Sequence, residues 1–269
     1  MTKHPSARAL MAALAMILTL TGIAPAALAT DDATTTGTAP ANVFVVAHQD
    51  DEILTFGSAI RQHAELGHTV VVLATDGSST YARVKISDRL GREVTRQEIT
   101  DHRDFEYEWT CRALGAHECI IAPPGLRVVD GTTTPESAGA LMAWVAATWP
   151  GARVKTHSWT VSHVDHKGLG AALLAANKAG TIPDARWYVS PTEMAQQGGE
   201  DAYEDAHGIT FGRVRKPVGD TEQNAYRLWA PDKAWNRYWS VGYTSVGSSF
   251  RYHRDTDTRS FHHAQSVWG

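Results

Sequence analysis

Short apolar runs rich in β-branched residues constrain the fold of this chain more than any other feature. Residues 43–47 read VFVVA and residues 69–74 read TVVVLA, and no charged residue interrupts either run. Strands of this kind are buried on both faces, as in parallel sheets that helices cover. Between them, residues 54–66 carry an apolar helical face that ends before Gly67. We therefore predict a strand, a helix and a second, parallel strand.

The same alternation continues along the chain. Further strands are predicted at residues 118–122, 153–157 and 186–190, and helices at residues 96–114, 135–148 and 167–179. Residues 78–95 are polar and are predicted to form a loop. This order predicts an α/β fold, a Rossmann-like, mostly parallel sheet with helices on both faces. Ligands bind such sheets beyond the carboxyl ends of the strands.

The N-terminus has the pattern of an export signal. A basic start precedes an apolar run over residues 9–24, and ALA at residues 27–29 offers small residues around a cleavage site. Residues 1–29 are therefore predicted to be a signal peptide, and the mature protein to be secreted and extracellular, without a stable membrane anchor. The alternative is a retained anchor, although the apolar run is short for a span of about 20 residues.

Composition divides the rest of the chain into three regions. Residues 30–41 are small, polar and Pro-containing, which is typical of a flexible linker, and residues 42–190 contain the predicted α/β core. Residues 191–269 are rich in Trp, Tyr, Arg and His and show no clear helical period. We expect irregular structure and short strands that pack on the core as a possible substrate cap. Its aromatic side chains either stack on sugar rings or belong to the core.

Charge and cysteine content restrict the function further. The net charge of -4 and the lack of a basic stripe argue against a nucleic-acid partner. The first strand runs into AHQDDE and not into G-x-G-x-x-G, which argues against dinucleotide binding. Cys111 and Cys119 are the two cysteines, and a disulfide between them would link a helix to a strand. A redox or metal-binding pair is the alternative.

Two clusters of ionisable residues follow predicted strands. His48 and Asp51 lie in AHQDDE, directly after the first strand, and His163 and His166 lie in HVDH, after the strand at residues 153–157. Because both clusters come at carboxyl ends of strands, we expect them to meet in one crevice. Two imidazoles and one carboxylate with an open position form a catalytic zinc site, although another divalent metal is possible.

The remaining residues of the clusters suggest chemical roles. Asp50 lies beside a metal ligand and is placed to take a proton from water whose pKa the metal lowers to about 7. His163 could stabilise an oxyanion or protonate a leaving amine, and Asp165 could orient His163. Glu52 is expected at the N-terminus of the following helix. His157, His262 and His263 are interpreted as ordinary surface or packing histidines.

AHQDDE followed by HVDH resembles the motifs of the LmbE-like or PIG-L family of metal-dependent N-deacetylases, whose usual pattern is AHPDDE and HPDH. The TDG at residues 75–77 and an R-x-x-E pattern that starts at Arg103 agree with this resemblance. It covers roughly residues 43–190. It implies His48, Asp51 and His166 as metal ligands, usually for zinc.

The resemblance also implies catalytic roles and shows where this chain departs from the family. Asp50 matches the general base, His163 the residue that stabilises the tetrahedral intermediate, and Asp165 the partner of that histidine. Gln49 and Val164 stand where the family has Pro, and Val161 where some members have Tyr. Substrate-binding candidates are Gln49 at the pocket rim, Asp76 and Arg103, although Asp76 also suits a turn and Arg103 a salt bridge with Glu106.

The predicted function is a secreted zinc-dependent amide hydrolase. It would remove the acetyl group from an N-acetylglucosamine-type sugar, an oligosaccharide or a conjugate. The alternatives are an amidase that acts on a larger acyl group or conjugate, and a non-catalytic carbohydrate-binding member of the family.

Overall fold

The computed structural model describes residues 39–228, 240–255 and 259–264. The predicted signal peptide and most of the predicted linker lie outside these residues. Seven strands form one sheet: β1 (Asn42–Val46), β2 (Thr69–Leu73), β3 (Glu118–Ile121), β4 (Arg153–His157), β5 (Asp184–Val189), β6 (Gly212–Val214) and β7 (Ser260–His263). Their order is β3-β2-β1-β4-β5-β7-β6. Strands β1 to β5 run parallel to one another, and β7 runs antiparallel to both β5 and β6. The predicted α/β class is confirmed.

Ten helices are present in the described part of the chain. They are α1 (Asp51–Leu54), α2 (Gly57–Leu66), α3 (Ala82–Leu90), α4 (Arg96–Ala113), α5 (Pro135–Thr148), α6 (Val164–Lys178), α7 (Pro191–Gln196), α8 (Glu200–His207), α9 (Asp220–Leu228) and α10 (Val241–Asp255). None of the described helices combines the length and apolarity that a membrane-spanning helix needs.

Alternate residues of the central strands face opposite layers of the protein. Val43 and Val45 pack with Leu141 and Leu173 of α5 and α6. The intervening residues, such as Phe44, point to the other face and pack with Ile60, Tyr107 and Phe250. Burial on both faces explains why the strands read as continuous apolar runs.

One prediction of secondary structure is wrong, and another is confirmed only in part. The segment predicted as a loop contains α3, whose Ala82, Ile86 and Leu90 recur every four residues and pack near Val241. Polar residues between them obscure this sparse apolar face. The C-terminal region is also more regular than expected, because it contributes four helices and two strands that extend the sheet.

Buried polar contacts attach this C-terminal region to the core. The carboxylate of Glu106 accepts hydrogen bonds from the backbone N–H groups of Val241 (2.7 Å) and Gly242 (3.0 Å) at the start of α10. The hydroxyl of Tyr226 donates to Glu52 at 2.7 Å. Cys111 and Cys119 form the predicted disulfide between α4 and β3.

Candidate metal-binding active site

Three side chains from two distant segments bring donor atoms together at the carboxyl edge of the sheet. His48 follows β1, Asp51 begins α1, and His166 lies in the first turn of α6. Nδ1 of His48 and Nε2 of His166 are 3.2 Å apart, and Oδ2 of Asp51 lies 3.2 Å and 3.1 Å from them. Two imidazole nitrogens and a carboxylate oxygen in this arrangement suit a divalent cation.

The other side of the His48 ring fixes which nitrogen is free. Nε2 lies 2.8 Å from Oδ2 of Asp165 and 3.2 Å from Oδ1 of Asp130. These carboxylates hold the ring proton on Nε2 and leave the Nδ1 lone pair for a metal, a common orientation of histidine ligands. Burial lowers the pKa of His48, but its hydrogen bonds to Asp130, Asp165 and Asp51 raise it well above its usual value overall. The carboxylates around His48 therefore favour positive charge at this point, which a bound cation would supply when it displaces the ring proton from Nδ1.

Asp50 lies between the donor set and α4. Asp50 has a φ of 120°, and no other non-glycine residue in the described part of the chain has a positive φ. The backbone N–H of Asp50 donates to Glu52, and Oδ2 of Asp50 lies 3.0 Å from Nη2 of Arg103. Burial raises the pKa of Asp50 to about 7, although Arg103 acts against this shift. Such strained backbone is typical of functional sites.

His163 lies at the mouth of the same site, and its side chain is 48% exposed. Its ring centroid is 4.7 Å from that of His48 and 4.8 Å from that of His166. Its Nδ1 accepts the backbone N–H of Asp165 at 3.3 Å. Burial, followed by His166 and His48, lowers the pKa of His163. The neutral ring therefore carries its proton on Nε2.

Asp165 contacts a different histidine from the one expected. Its carboxylate lies 3.9 Å from Nδ1 of His163 but 2.8 Å from Nε2 of His48. It also accepts backbone N–H groups of Gly131 (2.8 Å) and Thr133 (2.9 Å). The geometry makes Asp165 an anchor for His48, a candidate metal ligand.

Sequence reasoning missed two residues of the site. His157, the last residue of β4, is buried, stacks on His166 with a centroid distance of 3.7 Å, and lies 3.3 Å from Asp51. Its Nε2 accepts the N–H of Ala47, and burial lowers the pKa of His157 to about 3. The His157 ring is therefore buried and packs behind the candidate ligands Asp51 and His166. Its position at the end of a strand beside β1 was the available signal.

Asp130 is the second missed residue. It lies in the loop after β3, and a bridge between Thr75 and Val128 brings this loop to the strand ends. Irregular backbone carries no sequence period, so the loop position was not predictable. His263 is buried and binds Ser158 at 2.8 Å, which agrees with a packing role.

The three substrate-binding candidates have different positions. Gln49 is fully buried, and its amide donates to Asp104 (2.7 Å) and to the Asp76 carbonyl (3.3 Å), so its expected place at the pocket rim is wrong. Asp76 accepts the N–H groups of Ser78 and Asp130, as a turn residue does. Arg103 lines the cavity, and its ion pair is with Asp50.

A cavity of about 390 Å³ opens in front of the donor set. Its wall is rich in hydroxyl groups, which come from Thr55, Ser79, Thr80, Ser162, Ser190, Thr192, Ser245 and Ser249. No Phe, Tyr or Trp is among the described residues that line it. The far wall comes from α7 and α10, so the C-terminal region contributes to this cavity.

The fold and the site define an α/β protein with a candidate divalent-metal site at the carboxyl edge of its sheet. Residues 43–177 match the family model described as PIG-L, GlcNAc-PI de-N-acetylase. The chain belongs to this family, as the resemblance implied. No curated protein sequence matches the chain significantly.

Solved structures share the fold at low identity. An N,N'-diacetylchitobiose deacetylase from Pyrococcus horikoshii is 16% identical, with 74% of this chain and 73% of that chain covered and a TM-score of 0.50. The zinc-inhibited form of teicoplanin deacetylase Orf2 is 14% identical, with 85% and 100% covered and a TM-score of 0.53. The 4-carboxy-2-hydroxymuconate hydratase GalB from Pseudomonas putida KT2440 is 19% identical, with 86% and 97% covered and a TM-score of 0.51.

Proposed function

We propose that this protein is a secreted, zinc-dependent N-deacetylase that acts on an N-acetylated amino sugar or its conjugate. The observation that carries the proposal is the convergence of His48, Asp51 and His166 donor atoms within 3.2 Å of one another, beside Asp50 and in front of an open cavity. Membership of the PIG-L family and the folds of two deacetylases support it. Secretion rests on the N-terminal sequence pattern alone.

His48, Asp51 and His166 would hold the metal. When bound, a divalent cation polarises the amide carbonyl and lowers the pKa of a nearby water molecule. Oδ2 of Asp50 is engaged by Arg103, so Oδ1 is the atom that accepts the proton of the attacking water. Asp50 then delivers this proton to the nitrogen of the leaving amine.

His163 acts on the oxygen side of the reaction. Because its Nδ1 accepts the backbone N–H of Asp165, the proton of the neutral ring lies on Nε2. This N–H can donate to the oxyanion that forms when water adds to the carbonyl, a stabilisation worth about 3 kcal/mol in other enzymes. His157 and Asp165 keep the ligand rings in place.

The cavity wall supports a neutral, hydroxylated substrate. Its many Ser and Thr hydroxyl groups can donate to and accept from sugar hydroxyls. An N-acetylglucosamine-type sugar fits this chemistry, and the relatives named for deacetylation of chitobiose and teicoplanin agree with it.

Two measurements test the proposal together. Purified protein is analysed for bound metal, and acetate release is measured with N-acetylglucosamine, N,N'-diacetylchitobiose and sugars that carry longer acyl groups. We expect stoichiometric metal and released acetate. Release of only longer acids would favour the amidase alternative, and bound metal without any released acid would favour the sugar-binding alternative.

The variant Asp50→Asn tests the assigned base. It keeps the size of the side chain and removes the proton acceptor, so kcat should fall by about 10³-fold while metal content stays the same. Unchanged turnover in this variant would remove Asp50 from the role.

A further inference from the structure

The segment between β4 and α6 brings His163 to the mouth of the site. It comprises residues 158–163, SWTVSH, here called the His163 loop, and its last residue is the N-cap of α6. Among the described residues, the hydrogen bond of the His163 ring is a local one, with the backbone N–H of Asp165. The direction of the ring therefore depends on where the backbone of the loop lies.

Hydrogen bonds from the C-terminal region hold the first half of the loop. The hydroxyl of Ser158 lies 2.8 Å from Nε2 of His263 on β7. The hydroxyl of Thr160 lies 2.9 Å from that of Tyr203 on α8, and 2.6 Å from that of Ser158. Two separate elements of the C-terminal region thus hold the loop before it reaches His163.

Val161 attaches the loop to the same region by apolar contacts. Its side chain is 3% exposed and belongs to a buried cluster. Apart from Val189 on β5, the other members of the cluster come from the C-terminal region: Met194, Tyr203, Ile209, Phe211 and Phe261. The position at which some members of the family have Tyr is therefore used in this chain for packing against the C-terminal region.

Glu193 on α7 makes the contact nearest to His163. Its Oε1 accepts the backbone N–H of Ser162 at 2.8 Å and the hydroxyl of Ser162 at 3.3 Å. A carboxylate is a stronger acceptor for such groups than a neutral oxygen. The backbone N–H of Glu193 donates to the hydroxyl of Ser190, which caps α7. Glu193 therefore fixes the residue directly before His163.

We propose that Glu193 is a positioning residue for His163, through which the C-terminal region contributes to catalysis. By holding Ser162, it keeps Nε2–H of His163 directed at the oxyanion, and a displacement of about 1 Å at such a group can cost about 100-fold in rate. This role rests on the proposed deacetylase function, because it presupposes that His163 acts on the oxyanion. The attachment of the loop by Glu193 does not depend on that function.

Steady-state kinetics of the metal-loaded protein, on the N-acetyl sugar with the fastest acetate release, provide the first test. Glu193→Ala should lower kcat about tenfold with KM unchanged. Glu193→Gln should have a smaller effect, because its amide oxygen still accepts the N–H of Ser162. Asp201→Asn, at an exposed position of α8, is the charge control and should match wild type. A raised KM with unchanged kcat in Glu193→Ala would show direct substrate binding and overturn the proposal.

A double-mutant cycle tests whether Glu193 acts through His163. In the background of His163→Ala, the further change Glu193→Ala should leave kcat unchanged, because the residue that it positions is already absent. If Glu193 supported only the general structure, it would lower kcat equally in both backgrounds. A tenfold loss in the His163→Ala background would therefore contradict the positioning role.

Hydrogen exchange followed by mass spectrometry tests the attachment without a substrate. In Glu193→Ala the peptide that contains the His163 loop should exchange about tenfold faster, because the N–H of Ser162 loses its acceptor, whereas β1 and β2 should exchange as in wild type. Unchanged exchange in the loop would overturn the proposal. Faster exchange in a protein that releases no acid from any sugar would remove the deacetylase function, and with it the catalytic role of Glu193, but would keep the attachment.

Discussion

Nη2 of Arg103 lies 3.0 Å from Oδ2 of Asp50, and the two side chains are only 4% and 9% exposed. Arg103 also donates to the Gln49 carbonyl, one residue before the strained φ of 120° at Asp50. A single guanidinium thus holds both the backbone and the side chain of the proposed base. This ion pair is a positioning device, and its loss should affect the rate more than substrate binding.

We predict that Arg103→Met lowers kcat by about 100-fold with little change in KM, because Asp50 loses its fixed orientation. The variant should also be less stable, since breaking a buried ion pair costs about 3–5 kcal/mol. Arg103→Lys keeps the positive charge but cannot bind both the Gln49 carbonyl and the Asp50 carboxylate. Its kcat should therefore lie between the values of wild type and Arg103→Met. Steady-state kinetics on folded protein with measured metal content provide the test. An unchanged kcat in the Met variant would contradict it.

The sequence predicted those parts of the fold and site that have a repeating or clustered pattern. The apolar runs of β1 and β2 specify burial on both faces, and AHQDDE and HVDH come at strand ends, so the meeting of His48 with His166 followed from topology. His157 was overlooked because a lone histidine in RVKTH gives no local signal, although its register beside β1 places it at the same edge.

Contacts that depend on loops and side-chain rotamers were not predictable. Asp130 reaches His48 through an irregular loop, and Asp165 turns to His48 although His163 is closer in sequence. Gln49 turns inward, a choice decided by Asp104 on α4, more than 50 residues away. Tertiary packing determines such contacts, and it leaves no repeating pattern in the sequence.

The position of Asp165 leads to a prediction on metal affinity. Asp165→Asn keeps the shape of the side chain but weakens its hold on the Nε2–H of His48, so metal should bind about 10–100-fold more weakly. Competition with a chelator measures this affinity. If Asp165 acts only through His163, metal affinity stays unchanged and kcat alone falls. Asp130→Asn is the comparison, with a smaller effect because its oxygen is 3.2 Å from the ring.

Gln49 is predicted to matter for stability and not for substrate choice. Gln49→Glu would place a second carboxylate 2.7 Å from Asp104, which also pairs with Arg127, and should destabilise the protein by about 2–3 kcal/mol. Gln49→Leu only removes hydrogen bonds and should cost about 1 kcal/mol.

Chemical unfolding and a panel of N-acetyl sugars distinguish the two roles of Gln49. The order of activity across the panel should be the same in wild type and in Gln49→Leu. A changed order would return Gln49 to the substrate pocket.

Lys155 on β4 should make stability depend on pH. It is 3% exposed, and its ammonium binds Asn42 (2.9 Å) and the Arg153 carbonyl (3.1 Å). Burial lowers the pKa of Lys155 to about 7, although Asp184 acts against this shift. Above pH 7 the folded protein releases this proton, whereas the unfolded chain holds it up to about pH 10. The free energy of unfolding should therefore rise with pH over this range.

The variant Lys155→Met removes this titration. The free energy of unfolding of the variant, relative to wild type, should fall by about 2 kcal/mol between pH 7 and pH 9, because only wild type gains stability there. Urea unfolding at several pH values measures the difference. Lys178→Met, at an exposed position of α6, is the matched control and should follow the wild-type curve. Parallel curves for Lys155→Met and wild type would show that Lys155 keeps its proton in the folded protein.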